Sequence, residues 1–84
     1  MCLNDLRKKI DDIDQQIVKL LDQRMQLCAM IGQIKKQKDL PVENIGREEE
    51  ILNNIRKSNL THTNHIQSIM LSILNESKDL QNTL

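Results

Sequence analysis

Arg24 occupies a position whose partners in register are all apolar. Leu3, Leu6, Ile10, Ile13, Ile17, Leu20, Leu27, Ile31 and Ile34 follow one another in alternating steps of three and four, and Arg24 fills the gap between Leu20 and Leu27. That spacing is the face of a helix that packs against another helix. A guanidinium inside such a seam costs several kcal/mol unless a counter-charge meets it. No member of the seam is acidic. Arg24 therefore marks an anion-binding pocket inside a helical bundle.

Other polar residues join it by spacing. Lys35 lies three turns after Arg24 with about 20° of drift, on nearly the same face and about 16 Å further along the axis. The two side chains can lean together over a small anion, whereas Lys35 alone reads as a solvated lysine near a helix C-terminus. Arg7 is roughly 25 Å before Arg24 and turned by about 100°. Taken alone it pairs with Asp11 at i+4. If a second copy packs antiparallel, centred near residues 18 to 20, its Arg7 comes alongside residues 29 to 33, between Arg24 and Lys35. Glu48 shares the inward stripe of its helix with Ile51 and Leu52, with Arg47 beside it. It also reads as a first-turn glutamate favoured by the helix dipole. Ile66, Met70, Ile73, Ser77, Leu80 and Leu84 form a further seam with Ser77 as its polar member, and Gln81 shares that face. The plainer alternatives are a serine bonded back to its own helix and a solvated glutamine.

Collected, the set holds several cations with one carboxylate, one hydroxyl and one carboxamide. Such a set suits a small dianion, most naturally a dicarboxylate gripped by arginines. No cysteine or histidine is placed as a nucleophile beside a base, and no paired carboxylates suggest acid–base work. The fitting reaction needs neither proton transfer nor a covalent intermediate. It gains from holding a flexible dianion in a reactive shape and stabilising charge on oxygen as a bond breaks. His62 and His65 form an H-x-x-H pair far in sequence from Cys2 and Cys28. A zinc site needs three or four ligands, so no metal is expected, and no cofactor.

The elements that position these residues are three helices of an all-α chain. Helix 1 is expected over about residues 3–38, stopped by Asp39, Leu40 and Pro41. Helix 2 is expected over about 45–58, capped by Asn44, with Glu48, Glu49 and Glu50 near its positive end. Helix 3 is expected over about 64–82, capped by Thr61, Thr63 or Asn64. Residues 1–84 read as one domain. Helix 1 makes a rod of roughly 50 Å, whereas a compact domain of this length is only about 30 Å across. Its seam runs to both ends, so the expected assembly is an entwined, antiparallel homodimeric bundle.

Composition narrows the function. Twelve basic residues balance twelve acidic ones, which argues against nucleic acid and membrane surfaces as partners. With no Phe, Tyr or Trp, base stacking, aromatic cages and a membrane belt are excluded. Asn4, Asp5, Arg7, Lys8 and Lys9 interrupt the apolar core of any secretory leader. Cys2 and Cys28 then read as free thiols in a reducing cytoplasm.

The chain resembles the all-helical class of chorismate mutases, including the mutase domain fused to prephenate dehydratase in bacteria. The resemblance rests on the L-R-x-x-I opening (Leu6, Arg7, Ile10), Ile13-Asp14, Leu20-Leu21-x-x-Arg24, G-x-x-K (Gly32, Lys35), Pro41-Val42, Arg47-Glu48 and the closing E-S-x-x-x-Q (Glu76, Ser77, Gln81). It implies that Arg24, Arg47 and Arg7 of the partner subunit bind the carboxylates of chorismate, with Ser77 assisting. It implies that Lys35 and Gln81 donate to the ether oxygen whose bond breaks in the Claisen rearrangement to prephenate, and that Glu48 accepts the ring hydroxyl. Two positions depart from the family. Asn44 stands where aspartate is common, and serves equally if the contact is through its backbone N–H. Gly46 stands where another acid is common, and loosens helix 2 by up to about 1 kcal/mol. With no dehydratase segment after Leu84, the expectation is a free-standing mutase or the mutase portion of a longer protein. Two other readings stay open: an isochorismate-pyruvate lyase using the same arginines, Lys35 and Gln81, and a non-catalytic helical dimer in which Arg24, Lys35 and Gln81 tolerate Leu or Met.

Overall fold

The computed structural model describes residues 2–84. Three helices follow in order: α1 (Leu3–Gln37), α2 (Ile45–Lys57) and α3 (Thr63–Asn82), and the described residues contain no strand. Each end falls within one residue of the expected bounds.

The stops have local causes. After α1, Asp39 adopts a left-handed φ of 56°. Leu40 N–H then bonds Lys35 O at 2.8 Å and Asp39 N–H bonds Lys36 O at 3.3 Å. This pair of bonds is a Schellman motif, with an aspartate in the place usually taken by glycine. Asn44 caps α2 as expected, its side-chain oxygen accepting from Arg47 N–H at 3.1 Å. The expected cap of α3 is not formed: His62 holds the N-cap position without a side-chain bond. Thr63 is already inside the helix, and its hydroxyl donates back to Leu60 O at 3.1 Å.

α3 is the shared wall: α1 packs against it on one side and α2 on the other, while α1 and α2 make no close backbone approach to each other. The face that α1 gives to α3 is not its bulky seam. It is a neighbouring stripe through Leu21, Arg24, Met25, Cys28, Gly32 and Lys35, all buried or half-buried. Gly32 permits the closest approach: a Cβ there would stand 2.6 Å from Leu84 Cδ1 and 3.0 Å from Gln81 Cγ. The apolar seam residues from Leu3 to Ile34 remain 43–62% exposed.

Burial within one chain is consequently slight. Among the described residues only Cys28, Gly32, Leu74 and Ser77 are buried. The molecule measures 54 × 25 × 14 Å with a radius of gyration of 15.8 Å. A compact domain of this length has about 12 Å. The N-terminal half of α1 projects as a bare rod, exposed at every position from residue 2 to residue 20.

Candidate active site

Because α1 and α2 are held apart across α3, a cavity of about 380 Å³ opens between them. α1 contributes Arg24 and Lys35 with Leu27, Cys28 and Ile31. The loop and α2 contribute Val42, Asn44, Arg47, Glu48 and Ile51, and α3 contributes Leu74, Ser77, Lys78 and Gln81. Seven of the eight residues singled out from sequence meet here. Arg7 is the exception: it lies on the projecting part of α1, exposed and outside this chain's cavity. Nor does it form the pair with Asp11 that its spacing suggested; the ion pairs among the described residues lie elsewhere.

Each side chain is held in a particular way. Arg24 donates from Nη1 to Ser77 Oγ at 2.5 Å and to Cys28 Sγ at 3.5 Å. Ser77 in turn donates to Ile73 O at 2.7 Å, so the back-bond to its own helix and the contact with Arg24 coexist. Among the described residues no anionic side chain meets Arg24; its partners are a hydroxyl and a thiol. Lys35 Nζ donates to Val42 O at 2.7 Å, which ties the α1–α2 loop to the cavity wall and leaves two ammonium protons for another acceptor.

Arg47 is turned toward Glu50, 2.5 Å away, with its side chain 59% exposed. An exposed pair of this kind is worth little, so an incoming carboxylate can displace it. Gln81 has a buried side-chain oxygen with no hydrogen-bond partner. A buried carbonyl end left unpaired costs about 1–3 kcal/mol; it calls for a donor, while the amide nitrogen of the same side chain is the end that can donate to a ligand oxygen.

Lys78 escaped the sequence reading. Its Nζ lies 3.0 Å from Glu48 Oε1 and 3.3 Å from Glu43 Oε1. The hydrogen bond that Lys78 donates to Glu48 is the main influence raising the Lys78 pKa above its ordinary 10.5, with Glu43 adding to it. The available signal was its place on the inward stripe of α3, four residues after Leu74 and three before Gln81. His62 and His65 lie outside this cavity with ring centroids 6.4 Å apart. Among the described residues no group of three or more His, Cys, Asp or Glu is arranged to hold a metal ion.

The cavity of this helical domain gathers two arginines, two lysines, one glutamate, an unsatisfied carboxamide and apolar side chains, a lining that can hold a small organic anion. Residues 6–82 match the family described as chorismate mutase type II, and the chain belongs to that family. It is 42% identical over 55 residues to a chorismate mutase of Methanocaldococcus jannaschii, covering 66% of this chain and 56% of the relative. It is 44% identical over 57 residues to a bifunctional chorismate mutase/prephenate dehydratase of Aquifex aeolicus, covering 68% of this chain and 16% of that protein. The chain thus spans about half or less of these curated relatives. A solved structure of a conserved hypothetical protein from Pyrococcus furiosus superposes with a TM-score of 0.80 at 42% identity, covering 94% of this chain and 93% of the other.

Proposed function

We propose that a homodimer of this chain catalyses the rearrangement of chorismate to prephenate, with residues 1–84 as the catalytic unit. The observation that carries this reading is the convergence of Arg24, Lys35, Asn44, Arg47, Glu48, Ser77 and Gln81 on one cavity. Arg24 and Arg47 bind the substrate's two carboxylates, with Ser77 orienting Arg24. Lys35 and Gln81 donate to the ether oxygen, and Glu48 accepts from the ring hydroxyl. Negative charge grows on that oxygen as its bond to carbon lengthens. A fixed ammonium and amide then favour the transition state over bound substrate. The compact binding mode removes much of the entropic cost of folding the enolpyruvyl group over the ring.

The dimer belongs to the same reading. A chain that buries only four of its described residues, with an apolar stripe running the length of a 54 Å molecule, supports a second copy as its covering. In an antiparallel pair, Arg7 of the partner subunit reaches between Arg24 and Lys35 and completes the anion site.

The test is loss of chorismate absorbance on addition of purified protein, with prephenate as product. Turnover is expected in the wild type. Lys35→Ala is expected to lose it by about two orders of magnitude or more, the scale of removing one oxyanion donor, with the dimer still folded. Isochorismate is expected to release no pyruvate. Near-full activity in Lys35→Ala would remove Lys35 from the mechanism.

A further inference from the structure

Lys78 is the cation in the cavity that the motif set leaves without a role. It joins three elements, reaching from α3 to Glu48 on α2 and to Glu43 on the loop before it. The Lys78 and Glu48 side chains are 28% and 22% exposed. The Arg47–Glu50 pair, by contrast, is 59% and 61% exposed. Solvent therefore screens the Lys78–Glu48 pair less.

A carboxylate in an anion-binding cavity poses two problems. It repels an incoming dianion, and it competes with that dianion for the arginines. The charged groups around Glu48 are Arg24 and Lys35 from α1, Arg47 on its own helix, Lys78 from α3, and Glu43 behind Lys78. Arg24 is engaged by Ser77, Lys35 by Val42 O and Arg47 by Glu50. Lys78 is the cation that takes Glu48, and it does so through Oε1, leaving Oε2 for a hydroxyl donor.

We propose that Lys78 is a positioning residue: it neutralises Glu48 and fixes its carboxylate so that the second oxygen selects the hydroxyl of a bound hydroxy-dicarboxylate. This rests on the mutase reading, and the two fail separately. A wild type that leaves chorismate unchanged rejects the mutase reading; an active wild type with an indifferent Lys78 rejects only the present inference.

The experiment compares chorismate turnover in wild type, Lys78→Met, Lys78→Arg, Glu48→Gln and the double variant Lys78→Met/Glu48→Gln, with thermal unfolding recorded for each. Lys78→Met is expected to lower kcat/KM by about ten-fold, mainly through KM. Lys78→Arg should restore most of the loss. In the Glu48→Gln background, Lys78→Met should change kcat/KM by less than about two-fold, the non-additivity expected of residues acting as a unit. An equal loss in both backgrounds, or no recovery in Lys78→Arg, would overturn the proposal. If Lys78→Met does not fold, Lys78→Gln carries the same comparison.

Discussion

Arg24 illustrates how much one side chain can disclose. Its place in an apolar seam is visible in the sequence, and the structure gives it Ser77 Oγ and Cys28 Sγ as partners. A cation held this way is poised for a ligand and costs stability while it waits. Arg24→Met is expected to leave the melting temperature unchanged or raised while cutting chorismate turnover at least about a hundred-fold, the scale of losing a charge-assisted contact in the transition state. Thermal unfolding and turnover on the same sample check both halves. Lys78 was not legible, because a lysine on a helix in a chain that is 29% charged reads as surface. Only the fold brings Glu43 and Glu48 to it. Its pKa is raised by those carboxylates, so the pair's contribution to folding is present below pH 10.5 and fades as the pH rises through the raised folded-state value. The difference in melting temperature between wild type and Lys78→Met is therefore expected to narrow across that alkaline range.

At the scale of elements, helix positions were readable because Pro41, Asn44 and the seams are strong local signals. The packing face of α1 was not. Apolar periodicity weights bulky side chains, and those lie on the exposed stripe. α3 instead sits against Cys28 and Gly32, where small side chains let the helices approach. The two glycines make opposite predictions. Around Gly46 a Cβ meets only Asn44 Oδ1 at 3.6 Å, so Gly46→Ala should stabilise the protein by up to about 1 kcal/mol in urea unfolding. Gly32→Ala forces movement of Leu84 and of the Gln81 stem, and should lower turnover more than it changes stability. The α1 stop offers a third variant. Asp39→Gly relieves a left-handed φ of 56° and should stabilise the chain by several tenths of a kcal/mol; unchanged unfolding would place no strain at Asp39.

At the scale of the whole molecule, seven cavity residues come from one chain, while Arg7 lies on a rod that its own chain leaves bare. Sequence geometry anticipated this separation, because seventeen residues of straight helix cannot bring Arg7 back to Arg24. In analytical ultracentrifugation the protein is expected at twice its 9.8 kDa chain mass. Ile17→Asp, which puts a charge on the exposed stripe, should dissociate or unfold it. The central claim is that each cavity is finished by the other copy, and subunit mixing tests it most directly. Arg7→Ala and Lys35→Ala are each prepared as inactive proteins, then mixed in equal amounts and allowed to exchange chains. Half of the dimers are then mixed, each with one intact cavity, and activity should return to about a quarter of the wild-type value. A mixture that exchanges chains and stays inactive would show that Arg7 does not serve the opposite cavity.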